Sequence, residues 1–316
     1  MLYFGGSVLV QGAASLAFKL NISSLVVGLT VVAFGTSAPE LFVSLLSAAQ
    51  GKMGISIGNV LGSNVINIAL VLGIAAVIRP TVVDRDVVRT DGPVMLATYA
   101  VLVLVVADLS GGNFWTGGTI RRWEGVLMVA GLGAYILLLY HRSRTGEGTP
   151  PLIEEVPDEG VRRRPIVVDL LLVVLGAGLL AGGAELLVEG ASWLAVHLLG
   201  ASERFVGIAI VALGTSLPEL FTTLVSLNRG EMDISVGNLV GSNIFNSLMV
   251  LGTTSIVLPI AVGSTDFAVD FLFMVATSAV LVAALAARRK ASRPMGVMLL
   301  GIYIAYAVYL AATRTV

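Results

Sequence analysis

The sequence predicts an all-α integral membrane protein of ten transmembrane helices, built as two inverted-topology five-helix repeats. Three observations predict it: a composition too apolar for water, ten apolar windows of membrane-spanning length, and an internal duplication whose copies each hold an odd number of spans.

Of the 316 residues, 56% are apolar and 12% charged, about half the roughly 25% charged content of a soluble domain. A soluble fold needs more polar surface than this to cover itself, so a soluble enzyme is excluded. The 19 Lys and Arg nearly balance 20 Asp and Glu, leaving no basic excess for nucleic acid. The absence of cysteine removes disulfides, thiolate metal sites and Cys nucleophiles. His141 and His197 are too far apart to read as a metal-ligand pair, and nothing resembles a Ser-His-Asp arrangement. The N-terminus lacks the basic region of a secretory signal, so its apolar run reads as structure.

Windows of about 20 mostly apolar residues mark membrane spans. They fall at 2–20, 24–50, 55–78, 87–107, 121–141, 166–199, 204–228, 234–260, 267–287 and 295–312. Between the fifth and sixth lies RSRTGEGTPPLIEEVPDEGVRRRP, residues 142–165, with four prolines and mixed charge. It reads as a solvated linker joining a first five-helix repeat, 1–141, to a second, 166–316. Glu185 and Glu189 on the sixth span read as structural or interfacial, and Asp169 and Asp270 near span ends as reaching water. The glycines at 176, 178, 182 and 183 read as a surface for close helix packing or sliding.

Cytoplasmic loops are enriched in Lys and Arg. With both termini outside, fourteen such residues fall inside, among them Lys19, Arg79, Arg142, the Arg162–Arg164 run and Arg288–Lys290, against five outside. The favoured topology is a multi-pass cell-membrane protein with both ends outside and the 142–165 linker in the cytoplasm.

Residues 28–73 align without a gap on 207–252, a shift of 179, with 25 of 46 positions identical and the identities concentrated at polar and glycine positions. The flanks agree, since LVQGAASLA at 9–17 matches LVEGASWLA at 187–195. The first span is shorter than its counterpart at the N-terminal end, as a missed start codon or a truncated chain would produce. Five spans per copy invert the second copy relative to the first. That architecture is characteristic of secondary transporters, whose sites lie near the midplane where the copies meet.

Each copy carries Gly-Thr-Ser-x-Pro-Glu: Gly35, Thr36, Ser37, Pro39, Glu40, and Gly214, Thr215, Ser216, Pro218, Glu219. Glycine and proline break a helix's hydrogen-bond ladder and free carbonyls at membrane depth, expected one turn earlier at Ala33 and Ala212. A second string follows: Gly58, Asn59, Gly62, Ser63, Asn64, Asn67, and Gly237, Asn238, Gly241, Ser242, Asn243, Asn246. Asn59, Ser63 and Asn67 form a stripe on one helix face. Ser63, Asn67, Ser242 and Asn246 read as ligands. Asn64 and Asn243 fit interhelical hydrogen bonding as well as ligation.

An ionised carboxylate at bilayer depth costs about 2.5–3.5 kcal/mol even on the lenient insertion scale. Neither copy holds a Lys or Arg at that depth, since Lys52 and Arg229 fall at loops. Glu40 and Glu219 therefore call for a cation. Four hydroxyls (Thr36, Ser37, Thr215, Ser216), amide oxygens and freed carbonyls complete a set of hard oxygen donors suited to Ca2+ and Na+ rather than zinc, copper or iron. An empty site with two bare charges occludes at high cost, so exchange is expected rather than leak.

The strings GTSAPE…GNVLGSN…N and GTSLPE…GNLVGSN…N resemble the two α-repeats of the sodium/calcium exchanger family, within the cation/calcium antiporter superfamily, in its compact prokaryotic type. The resemblance covers nearly the whole chain. It implies alternating access, with Na+ entry driving Ca2+ the other way, Glu40 and Glu219 at the centre, and supporting ligands at Thr36, Ser37, Ser63, Asn67, Thr215, Ser216 and Ser242 plus the Ala33 and Ala212 carbonyls. It implies a transporter and no enzyme, with Ca2+ and Na+ as cargo, the lipid bilayer as surroundings, no cofactor and no obligate protein partner. Many members carry Asp where this chain has Asn246, which bears on Na+ stoichiometry and on any role for protons. The short linker lacks the large Ca2+-sensing domains that the resemblance implies for animal exchangers. The alternatives are H+/Ca2+ exchange, whose carriers typically have a glutamate in the second string, and K+-dependent Na+/Ca2+ exchange, weakened by Asn246. A cation channel or a non-transporting scaffold fits less well, because neither accounts for both the inverted repeat and the paired glutamates.

Overall fold

The computed structural model describes residues 1–107, 118–145, 164–197, 212–262 and 267–313. Within them the chain is almost entirely helical: α1 (Leu2–Leu20), α2 (Ser24–Thr36), α3 (Ala38–Ala49), α4 (Met53–Ile78), α5 (Val87–Val106), α6 (Arg122–Thr145), α7 (Ile166–His197), α8 (Ala212–Thr215), α9 (Leu217–Arg229), α10 (Met232–Val257), α11 (Ala268–Arg288) and α12 (Arg293–Thr313). Seven of these are long and apolar enough to cross a membrane, and the bent pair α2–α3 makes an eighth. By the same measure α1 falls short, because Gln11 and Lys19 interrupt its apolar run. The expected seventh span begins outside the described residues, as does the linker from 146 to 163.

Two central helices organise the rest. The apolar stretch of α10 is 100% buried and that of α4 78%, against 22–39% for α5, α6, α7, α11 and α12. The peripheral helices turn leucines and valines such as Leu127, Leu171, Leu272 and Val297 outward, the surface a chain dissolved in lipid presents. The helices bearing the Asn strings are therefore the most enclosed.

Glycine sets how closely these central helices approach. A Cβ at Gly237 would stand 2.8 Å from the Leu25 carbonyl oxygen, and one at Gly241 2.7 Å from that of Leu29. Backbone lies on backbone along the α2–α10 seam, as small residues permit. On the other flank α1 packs antiparallel on α7: a Cβ at Gly5 would meet Leu180, one at Gly12 Asp169, and one at Gly183 Leu2.

Among the described residues four π turns interrupt these helices, at Gly28–Val32, Ile66–Leu72, Val87–Asp91 and Asn246–Val250. Such bulges widen the backbone locally and gather at functional positions. Two of them contain Asn67 and Asn246.

Short antiparallel ladders join connections from the two halves. β1 (Thr81–Val82) pairs with β4 (Lys290–Ala291), and β2 (Thr119–Ile120) with β3 (Ile260–Ala261). Arg79 also donates to the Leu227 carbonyl at 2.6 Å.

Two carboxylates expected to reach water are buried instead. Asp169 is fully buried and bonds Lys19, with the Arg164 guanidinium 3.0 Å away. Asp270 is buried on α11 and accepts from the Tyr306 hydroxyl at 2.7 Å. Both lie in the first turn of their helices, but neighbouring helices cover the side chains. Asp270 has a counterpart the sequence reading passed over: Asp91, 179 residues earlier, accepts from Tyr135 at 3.0 Å. Each half thus ties its last helix to the preceding one by a tyrosine–aspartate bond. Tyr135→Phe or Tyr306→Phe removes the donor to a buried carboxylate, and thermal unfolding in detergent should show a loss of about 1–3 kcal/mol for each. Unchanged melting would remove these bonds from the account of stability.

Candidate functional site

The break between α2 and α3 bends the chain by 42°. Pro39 lacks an N–H, so no donor reaches back to the Gly35 carbonyl, and Pro218 does the same to Gly214. The break is tighter than expected at Ala33, whose carbonyl keeps the Ser37 N–H at 3.0 Å and faces the Thr36 hydroxyl at 3.4 Å. It is therefore not freed, because the bend falls one residue past Thr36. Ala212 is the first described residue of α8, and the Ser216 N–H turns to the Leu213 carbonyl.

The bend restarts a helix just before each glutamate. Glu40 lies in the first turn of α3 and Glu219 in that of α9, and each carboxylate also meets its own backbone N–H. The positive end of a helix dipole favours an anion there. Both side chains are 0% exposed, and they are close enough to repel one another. Among the described residues neither has a basic partner.

Around the pair the two copies interlock with approximate twofold symmetry. Ser63 donates to Glu40 Oε1 at 3.4 Å and Ser242 to Glu219 Oε1 at 3.3 Å. Thr215 lies 3.4 Å from Ser63, and Thr36 lies 3.2 Å from Ser242. Each threonine donates into the opposite copy, Thr36 to Asn238 Oδ1 at 3.0 Å and Thr215 to Asn59 Oδ1 at 3.3 Å. Asn59 is held in turn by the Glu40 carbonyl and Ser44. Ser37 stands close to the Glu219 carboxylate, and the Ser37 and Ser216 hydroxyls are buried without a well-formed hydrogen bond.

Asn67 and Asn246 are fully buried one turn beyond Ser63 and Ser242. The oxygens Glu40 Oε2, Glu219 Oε2, Asn67 Oδ1 and Asn246 Oδ1 receive no hydrogen bond from the protein. They form two symmetric pairs of buried acceptors, which is costly unless something positive meets them. Nitrogen and sulfur ligands are missing, and no group of three or more His, Cys, Asp or Glu gathers among the described residues. Two formal charges amid neutral oxygens suit a hard cation.

The sequence reading thus named the residues that converge here: Glu40, Glu219, Thr36, Thr215, Ser63, Ser242 and Ser37. It passed over Asn59 and Asn238 as threonine acceptors, although their shared shift of 179 marked them.

The family model described as "Sodium/calcium exchanger protein" matches residues 1–141 and 168–312. This chain belongs to the sodium/calcium exchanger family. Among its relatives, sodium/calcium exchanger MaX1 of Methanosarcina acetivorans is 31% identical, covering 97% of this chain and 94% of that protein. Inner membrane protein YrbG of Escherichia coli is 34% identical over 97% of this chain and 92% of its own. The fold matches the sodium-calcium exchanger NCX_Mj, solved after soaking with 10 mM Na+ and 10 mM Sr2+, with a TM-score of 0.80 and 30% identity over 97% of this chain and 94% of that one. The family is one of membrane transporters. The match spans both sides of the linker, so both halves share in it.

Proposed function

We propose that this family member is a secondary antiporter that exchanges Na+ for Ca2+ across the cell membrane by alternating access. One observation carries the proposal: two buried carboxylates from opposite copies, without a basic partner among the described residues, lie within electrostatic reach of one another among acceptors that the protein leaves unpaired. Ca2+ supplies the charge that balances them, and Na+ ions supply it in the opposite phase of the cycle. The ligands proposed are Glu40, Glu219, Thr36, Ser37, Thr215, Ser216, Ser63, Asn67, Ser242 and Asn246. The Ala33 carbonyl contributes the lone pair that the Ser37 N–H leaves, and the Ala212 carbonyl is its counterpart. Threonine hydroxyls whose protons are directed to Asn238 and Asn59 keep their lone pairs for the ion.

The same reading holds ten spans in two inverted repeats, 1–141 and 166–316, joined by the linker at 142–165. Its topology has both termini outside and the linker cytoplasmic. In support, the cationic groups meet at connections that fall on one side under this topology: Lys19 with Asp169, Arg142 with Asp86 at 2.8 Å, Arg79 with Leu227, and β1 with β4.

Proteoliposome flux tests the driving ion. Vesicles loaded with Na+ should take up 45Ca2+ when diluted into Na+-free medium, and a pH or K+ gradient of equal size should not replace Na+. Uptake that follows the pH gradient and ignores Na+ would overturn the assignment in favour of H+/Ca2+ exchange.

A further inference from the structure

The four central asparagines form a chain of amides whose orientation is fixed from outside the ion site. All four are fully buried. An amide has a donor end and an acceptor end, and two backbone carbonyls decide which end each one presents. The Asn243 Nδ2 donates to the Asn64 carbonyl at 3.2 Å, an atom that only accepts. Its Oδ1 is therefore turned to Asn67, which must offer its own Nδ2, at 3.0 Å.

On the other branch the Ser247 hydroxyl donates to the Asn243 carbonyl at 3.0 Å. Having used its proton there, it can only accept from Asn64 Nδ2, at 3.2 Å. That turns Asn64 Oδ1 to Asn246, whose Nδ2 donates to it at 3.2 Å. Met274 and Met95, another pair shifted by 179, take the second contacts of the Asn64 and Asn243 NH2 groups at 3.5 and 3.8 Å. The chain of amides ends on Asn67 Oδ1 and Asn246 Oδ1, buried and without a protein partner.

We propose that Asn64 and Asn243 are positioning residues: each holds the amide of the opposite copy's ligand, Asn246 or Asn67, with its oxygen rather than its NH2 turned to the cation. This rests on the ion-site reading above. A reversed amide would point two N–H dipoles at a positive ion. The two branches are anchored differently, because Ser247 has Ile68 as its counterpart. Ser247 is thus a third positioning residue, acting on Asn246 alone.

The test uses the full chain in detergent and in proteoliposomes, reading 45Ca2+ binding, uptake rate against Ca2+ concentration, and thermal unfolding. Asn243→Leu leaves Asn67 without its acceptor and should raise the half-saturating Ca2+ concentration about tenfold, the loss expected for one contact to a charged group, with the maximal rate changed less than twofold. A carboxylate has no wrong end, so Asn67→Asp in the Asn243→Leu background should bring affinity to within about twofold of Asn67→Asp alone. If Asn243→Leu does not fold, Ser247→Ala and its pairing with Asn246→Asp make the same test on the other branch. Wild-type affinity in Asn243→Leu or Ser247→Ala, or failure of the aspartate to rescue, overturns the relay. Failure of the ion-site reading looks different: Glu40→Gln and Asn67→Leu would then keep wild-type Ca2+ binding.

Discussion

Glu40→Gln and Glu219→Gln should each cut Na+-driven Ca2+ uptake by about two orders of magnitude, or about 2.8 kcal/mol, while the protein still folds and inserts. The amide keeps the shape and burial of the carboxylate but removes half of the charge offered to a divalent ion. Burial makes the effect large, since both side chains are 0% exposed and water cannot substitute for the lost charge. Folding should be spared, or even favoured, because the two carboxylates repel one another. Parallel measurement of uptake and thermal unfolding checks both parts. A variant with wild-type uptake would remove its glutamate from the site.

The second large effect separates two glycines that look alike in sequence. A Cβ at Gly176 would lie 2.5 Å from the Leu9 backbone nitrogen, whereas one at Gly178 meets nothing within 4 Å. Gly176→Val should push α1 off α7 and cost about 1–3 kcal/mol or more, since backbone cannot yield as a flexible side chain can. Gly178→Ala should be neutral or stabilising by up to about 1 kcal/mol, because it only improves helix propensity. Melting temperature and yield of folded protein distinguish them, and equal behaviour would mean that α1 does not seat as described.

Much of this molecule was legible in its sequence, for physical reasons. A lipid-exposed helix must be apolar along its length, so seven of the ten expected spans, and an eighth with the bent pair, fell within a few residues of helices long and apolar enough to cross a membrane. The broken helices showed because Pro39 and Pro218 cannot donate, and the glutamates because a buried charge without a base is conspicuous. Contacts between distant residues were harder to read. Asn64 and Asn243 were left between ligation and interhelical bonding, and nothing local reveals that each holds an asparagine of the other copy. Asp270 was read as solvated because Tyr306, its donor, lies 36 residues away. The π turns follow from no residue preference, and two-residue ladders are too short to show alternation.

The two strand ladders carry a mechanical implication. β1–β4 and β2–β3 rivet one half of the molecule to the other, and neither includes a residue of α1 or α7. Those two helices carry their own clasp, formed by Lys19, Asp169 and the Arg164 carbonyl. Strand pairing thus fastens only connections outside these two helices, which are held to each other by charge and to the rest of the fold by side-chain contacts such as that of Arg229 with Ser7.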